Sequence, residues 1–193
     1  MFLKNISPFR QHRCDRRAPE IHLGYYARVA GVHALIEKFF EACDTAVQII
    51  SLGAGFDTLF WRLVSDGRPV NNFIEIDFAG VTARKCMLIK RSKELMQGLV
   101  TGEDEEDIKL SRTDLHSAKY HLVAADFTDI NSLESKLTQS DVNYTCPTLI
   151  LAECALVYVD QKKSNNLLAW IANKFTSCSF VNYEQLNMND RCD

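Results

Sequence analysis

The chain has 193 residues, 47% of them hydrophobic and 24% charged, a composition that fits one globular domain with a sizeable core. Its net charge of −3 and pI of about 6.0 exclude the basic surface by which proteins hold a nucleic-acid backbone or an anionic membrane. No apolar stretch approaches the roughly 20 residues of a membrane span, and the amino terminus has no signal-peptide core. Seven cysteines without a Cys-x-x-Cys pair favour free thiols, so we predict a cytosolic protein.

Along the chain, segments with helical spacing alternate with short apolar runs typical of buried strands. The first helix is predicted from Val29 to Cys43, the second after Asp57 and the third over 79–98. A fourth is predicted to start at Asn131, where Glu134 would complete a capping box, and a fifth to follow Asp160. Strands are predicted over 47–52, 72–76, 120–124, 148–152 and 178–183. Residues 101–117, with their acidic run, indicate a solvated insertion. Near-continuous apolar strands separated by helices predict a doubly wound, mostly parallel α/β sheet.

Glycines and acids follow the first two predicted strands. Gly53-x-Gly55 allows a sharp turn and a close approach of the backbone to a ligand, although glycines often end strands for steric reasons alone. Asp77 lies 24 residues beyond Gly53, where a ribose-binding carboxylate is expected. Glu75 is on the same face of its strand, so either acid could reach the crevice, or both could simply precede the next helix. Together these features favour nucleotide binding.

The residues after Gly55 bear on which nucleotide is bound. A dinucleotide fingerprint requires a third glycine at the position of Thr58, and Asp57 would direct negative charge at a pyrophosphate, so NAD is disfavoured. S-adenosylmethionine has no phosphate and carries a sulfonium, which suits an acidic mouth. Glu153 ends a buried strand, where an unpaired carboxylate is costly, and a ligand partner such as the methionine moiety would explain it.

Arg28 lies 25 residues before Gly53, in a block that precedes the sheet. The polar motifs of the chain are Gly24-Tyr25-Tyr26-Ala27-Arg28-Val29, Leu52-Gly53-Ala54-Gly55-Phe56-Asp57, Glu75-Ile76-Asp77-Phe78, Ala125-Asp126-Phe127 and Leu151-Ala152-Glu153. Through these motifs, the chain from about Arg16 to Arg191 resembles the leucine carboxyl methyltransferases, which esterify the C-terminal leucine of the protein phosphatase 2A catalytic subunit. A sister group, the tRNA wybutosine-synthesis carboxyl methyltransferases, shares most of the motifs. Phe56 favours that group, and Asn187-Met188 favours the phosphatase enzymes.

The resemblance implies a role for each motif residue. The donor S-adenosylmethionine would be held by Gly53, Asp77, Asp126, Phe127 and Glu153, with Asp126 and the Phe127 backbone at the adenine. Arg28 would contact the donor and orient the acceptor carboxylate, and Tyr158 could line the acceptor pocket. The histidines have no metal-ligand spacing, so no metal is predicted. The expected partner is the phosphatase C-terminus, with no nucleic acid and no membrane.

The resemblance also predicts one domain, with residues 1–45 as a helical cap and 46–193 as a Rossmann-like core. Family members have an N-terminal lysine without a clear counterpart here, and two strands beyond Arg191, so five of seven expected strands would be present. The strand at 178–183 would then be an open apolar edge, while the complete protein would be a monomer. Three alternatives remain: a relative of the tRNA wybutosine-synthesis enzymes, a truncated product that only binds the donor and, less favoured, an NAD-dependent oxidoreductase.

Overall fold

A computed structural model describes residues 19–100 and 108–185 of the chain. Its helices are α1 (Pro19–Glu41), α2 (Leu59–Ser65), α3 (Ala79–Arg91), α4 (Lys93–Gln97), α5 (Ile130–Gln139) and α6 (Gln161–Lys174). Its strands are β1 (Val47–Leu52), β2 (Val70–Asp77), β3 (Lys109–Leu110), β4 (Leu115–His116), β5 (Tyr120–Ala124), β6 (Thr148–Glu153) and β7 (Cys178–Tyr183). A short 3-10 turn, Leu156–Tyr158, follows β6.

All seven described strands form one sheet in the order β3-β4-β5-β2-β1-β6-β7. The pairs from β5 through β2, β1 and β6 to β7 are parallel, which confirms the predicted doubly wound, mostly parallel α/β fold. The predicted number of strands is wrong, because β3 and β4 are two further strands that pair antiparallel with each other and with β5. Each has only two residues, too few to show a periodicity within the segment interpreted as an insertion. The acidic run of that segment lies outside the described residues.

Helices cover both faces of the sheet, which explains why its central strands are almost continuously apolar. One core cluster combines residues of α1 to α4 with one face of the strands, and Ile49 of β1 belongs to it. The other cluster combines α5 and α6 with the opposite face, to which the adjacent Ile50 contributes. The alternation of neighbouring side chains between two apolar cores fixes the register of β1 against β2 and β6.

Several helix boundaries differ from the predicted ones. Helix α1 begins ten residues earlier than predicted, at Pro19, so Arg28 lies within a helix rather than before one. The predicted helix over 79–98 is interrupted at Ser92, whose hydroxyl accepts the N–H of Leu95 and starts α4. The capping box at Asn131 is wrong, because Asp129 is the N-cap of α5. The helix predicted after Asp160 is confirmed as α6, and the Asp160 side chain caps it by accepting the N–H of Lys162.

Across the described residues, every helix is too short or too polar to cross a membrane.

Candidate functional site

The loop from Gly53 to Thr58 joins β1 to α2 at the carboxyl end of the sheet. Gly53 and Gly55 both have positive φ, at 68° and 55°, a conformation that glycine adopts without strain. A Cβ on Gly53 would also lie 2.8 Å from the Cβ of Ala155, which follows β6. Gly53 is therefore required both by its backbone conformation and by the close approach of the loop after β6.

Asp77 ends β2 directly beside this loop. One carboxylate oxygen, Oδ2, accepts the N–H of Gly55 at 2.8 Å, and Oδ1 accepts the N–H of Phe78 at 2.7 Å. The structure therefore places Asp77 against the glycine loop, where it fixes the path of the backbone.

Glu75 does not reach the crevice, contrary to the expectation that either acid could. It lies two residues, about 7 Å, deeper in β2 and is almost completely buried. Its carboxylate forms an ion pair with Lys85 and accepts a 2.7 Å hydrogen bond from the Tyr120 hydroxyl. Burial raises the pKa of the Glu75 carboxyl, and the nearby Lys85 ammonium opposes that rise.

Asp126 and Phe127 follow β5 and have different environments. Asp126 is exposed, and its Oδ1 accepts hydrogen bonds from the N–H and the hydroxyl of Thr128, at 2.9 and 2.7 Å. These bonds hold the pKa of Asp126 below its ordinary value. Phe127 is buried in the second core cluster, and its ring lies 3.9 Å from the position a Cβ on Gly53 would occupy. The loops after β1, β5 and β6 thus converge at Gly53.

Arg28 and Glu153, which are 125 positions apart, form an ion pair at the mouth of the crevice. The Nε of Arg28 donates to Oε2 of Glu153 at 2.9 Å, and its Nη2 donates to the backbone oxygen of Glu153 at 3.4 Å. The guanidinium also lies over the ring of Tyr183, 5.8 Å from its centroid. Both side chains remain partly exposed, 29% for Arg28 and 22% for Glu153, so a ligand can reach them.

Two clefts flank this ion pair, and Arg28 lines both. The first, of about 340 Å³, lies between α1, the glycine loop and α2, and Arg28, Glu153, Gly53, Asp57, His33 and Arg62 contribute to it. The second, of about 330 Å³, lies between α1 and the end of β7, where Glu20, Ile21, Tyr25, Tyr183 and Gln185 contribute. Each volume is in the range of small-molecule sites, about 300–1,000 Å³.

Tyr158 differs from the other predicted residues. It ends the 3-10 turn after β6, and its side chain is 86% exposed. Glu184 stabilises this turn, because its Oε1 accepts the N–H groups of Leu156 and Val157. The structure therefore brings Arg28, Gly53 and Glu153 to one cleft and places Asp77 and Phe127 against the glycine loop, whereas Tyr158 is directed at solvent.

Sequence reasoning missed two residues around the loop, Arg62 and Lys85. Arg62 of α2 lines the first cleft and contacts the Asp57 carboxylate at 3.3 Å. Lys85 of α3 is completely buried and donates to the backbone oxygen of Asp57 at 2.7 Å. The sequence contained an indication that Lys85 is buried, because this lysine falls on the same helical face as the apolar Cys86 and Ile89.

His116 and His121 are a pair of neighbouring imidazoles on two adjacent strands. Their Nδ1 atoms lie 2.9 Å apart across β4 and β5. Within the described ranges, no three His, Cys, Asp or Glu side chains are grouped so as to hold a metal ion.

The parallel strand order, the glycine loop after β1 and the acids after β2 and β6 are consistent with the α/β fold of S-adenosylmethionine-dependent methyltransferases. The model of one family, leucine carboxyl methyltransferase, matches residues 3–172, and the chain belongs to this family. The resemblance noted in the sequence is thereby confirmed.

Individual relatives support the same assignment. The chain is 41% identical to leucine carboxyl methyltransferase 1 of Rattus norvegicus over 92% of its length and 53% of the relative's. It is 39% identical to the Caenorhabditis elegans protein of that name, over 91% and 53%. It is 36% identical to human tRNA wybutosine-synthesizing protein 4, over 91% of this chain and 26% of that protein. The chain thus spans about half the length of the leucine carboxyl methyltransferase relatives.

Proposed function

We propose that the chain binds S-adenosylmethionine at the glycine loop and serves methyl transfer to the α-carboxylate of the C-terminal leucine of the protein phosphatase 2A catalytic subunit. The observation that carries the proposal is the Arg28–Glu153 ion pair beside Gly53. It joins the arginine that distinguishes this family's motif to the acid that ends β6. A guanidinium with free donors at the mouth of a crevice suits a carboxylate ligand.

The residues of the crevice fit S-adenosylmethionine better than a dinucleotide such as NAD. The Gly55 N–H, which could face a phosphate, is already bonded to the Asp77 carboxylate. Asp57, on the same loop, is paired with Arg62 in the first cleft. The charge argument therefore rests on the Asp77 carboxylate, which would repel a pyrophosphate at the Gly55 N–H, so the NAD alternative is disfavoured on this contact as well as on motif.

Within the proposal each residue has a defined role. Asp77 binds the ribose hydroxyls, Asp126 and the Phe127 backbone bind the adenine, and Gly53 allows the donor to approach the loop. Glu153 binds the ammonium of the methionine moiety. Arg28 contacts the donor and orients the acceptor carboxylate, and Tyr158 lines the acceptor pocket once a peptide covers it.

The acceptor needs little activation. A peptide α-carboxyl titrates near pH ~3.5 and is an anion at pH 7, so no general base is required. S-adenosylmethionine supplies a methyl group on a positively charged sulfur. The task of the protein is therefore to hold the carboxylate in position and to exclude water. Arg28 does the first by exchanging part of its contact with Glu153 for the acceptor.

The remaining features of the proposal concern the whole protein. We infer that residues 1–45, of which 1–18 lie outside the described residues, act as a helical cap on a Rossmann-like core, and that the protein acts as a monomer in the cytosol. The five cysteines of the described ranges are free thiols, which suits a reducing compartment.

Calorimetry tests the donor. S-adenosylmethionine and its demethylated product, S-adenosylhomocysteine, are expected to bind and to raise the melting temperature, and NAD is expected to do neither. Glu153→Ala and Asp77→Ala should each weaken binding. Stabilisation by NAD but not by S-adenosylmethionine would show that the cofactor assignment is wrong.

Methyl transfer to peptides tests the acceptor. A peptide with the phosphatase C-terminus and a free carboxylate should be methylated, and the same peptide with an amidated terminus should not. Arg28→Lys should lose most of the activity, because an ammonium cannot form a bidentate contact. Unchanged turnover by Arg28→Lys would remove Arg28 from its proposed role. Binding of S-adenosylmethionine without transfer would favour the noncatalytic alternative.

A second candidate substrate is a carboxyl group on tRNA. It is favoured by the 36% identity to human tRNA wybutosine-synthesizing protein 4. Parallel assays with the peptide and with the tRNA precursor decide between the two, and transfer to tRNA alone would replace the phosphatase proposal.

A further inference from the structure

A buried cation lies behind the glycine loop, on the side away from the clefts. Lys85 of α3 is fully buried, and its ammonium donates to the backbone oxygen of Asp57 at 2.7 Å. The same ammonium pairs with the Glu75 carboxylate of β2, which in turn accepts the hydroxyl of Tyr120 in β5. A chain of polar contacts therefore links the loop to two central strands and one helix.

Stability alone does not explain this arrangement. Two buried charges lose their hydration, and apolar residues of similar volume are often at least as stabilising as a buried ion pair. The ammonium does supply a charged donor at a defined position under the loop. Asp57 lies near the end of the loop, before α2, and outside both β1 and α2, and its backbone oxygen accepts the Lys85 ammonium.

The loop is held from two sides, and the two contacts differ in their exposure to a ligand. On the crevice side, Asp77 accepts the Gly55 N–H at 2.8 Å. In the proposed complex the ribose hydroxyls compete for that carboxylate, which weakens its contact with the loop. Lys85 has no exposed surface, so its contact with Asp57 persists when the ligand binds.

We propose that Lys85 is a positioning residue that holds the Asp57 carbonyl and thereby keeps the glycine loop in its donor-binding conformation. This inference rests on the proposed function, because it concerns the same site. It assigns Glu75 the role of counter-ion to Lys85.

Two variants of the full chain separate positioning from stability. Glu75→Gln leaves Lys85 able to donate to Asp57 but removes its counter-charge, so the variant should melt at a lower temperature than the wild type. The double variant Glu75→Gln/Lys85→Met has no buried charge and should melt above Glu75→Gln, but its Asp57 carbonyl has lost its donor. Its dissociation constant for S-adenosylhomocysteine should be about tenfold weaker than that of Glu75→Gln.

Stability and affinity are thus expected to change in opposite directions, which a purely structural role of Lys85 does not allow. Equal affinity of the two variants, or an affinity that is lost in Glu75→Gln and recovered in the double variant, would overturn the inference. Lys174→Met is the matched control, since Lys174 pairs with Glu134 between α5 and α6, and it should bind like the wild type.

Hydrogen exchange of the amides of residues 54–58 gives a readout that needs no ligand. These amides should exchange faster in the double variant than in Glu75→Gln, and equal rates would contradict the tie between Lys85 and the loop. If the wild type binds no S-adenosylhomocysteine, the proposed donor is wrong, and the exchange rates alone then decide whether Lys85 positions the loop.

Discussion

Strands β2 and β7 are both parallel members of the sheet, yet they have opposite environments. Strand β2 lies between β1 and β5, and seven of its eight residues are buried. In the described part of the chain β7 pairs only with β6, and none of its residues is buried. On adjacent α1, Tyr25, Tyr26 and Val29 are also more than half exposed. Apolar sequence therefore identifies strands and helices, but neighbours on both sides decide how much surface each of them buries.

Replacing one phenylalanine by alanine in each of the two strands tests the difference in burial most directly. Phe73 of β2 is completely buried, with ring centroids 5.6 Å from Phe60 and 6.2 Å from Tyr120, so Phe73→Ala should lower the free energy of unfolding by about 3–5 kcal/mol. Phe180 of β7 is only partly buried, so Phe180→Ala should cost about half as much. Urea denaturation measures both, and equal losses would contradict the comparison.

The opposite edge of the sheet should show a pH dependence of its stability. Burial, and then the nearby His116, lower the pKa of His121 to about 4, below the ordinary 6.5. Between these values the unfolded chain binds a proton that the folded chain does not, so stability should fall as the pH decreases from about 6.5 to about 4. The loss should approach about 3 kcal/mol.

Urea denaturation of the wild type and of His121→Asn across this pH range checks the prediction. The variant has no imidazole at this position and should be less sensitive to acid. His116, Asp114, Asp141 and Lys136 also carry titratable groups in this region, so the difference between the two proteins is the relevant quantity. Parallel pH profiles would exclude His121 as the cause.

Substitution of a β7 cysteine should change the free energy of unfolding least, and thiol labelling compares the exposed strand with the core directly. Cys178 of β7 is exposed, so Cys178→Ser should change the free energy of unfolding by less than about 0.5 kcal/mol. Cys86 of α3 is buried, which raises the pKa of its thiol to about 11. Site-resolved labelling with a thiol reagent at pH 8 should modify Cys178 quickly and Cys86 only through unfolding. Rapid labelling of Cys86 would indicate that the core around α3 opens readily.

The sequence predicted the five longer strands of the sheet and its parallel arrangement because these depend on local apolar runs. It also predicted the turn at Gly53 and the carboxylate of Asp77 at the end of a strand, because a glycine after an apolar run and an acid after the next one can be read directly from the residues. It could not distinguish Glu75 from Asp77, which have the same side-chain direction. Their partners separate them: Lys85 of α3 pairs with Glu75 inside the core, whereas Asp77 accepts the N–H of Gly55 at the strand end.

By itself, then, the sequence determined the α/β class, the glycine loop and the acids that follow the strands. Only the tertiary structure decided that Arg28 reaches Glu153, that Lys85 contacts Asp57, and that Tyr158 and β7 remain exposed. Turns and strands follow from local backbone and side-chain preferences. An ion pair between residues 125 positions apart forms only when packing brings their two elements together.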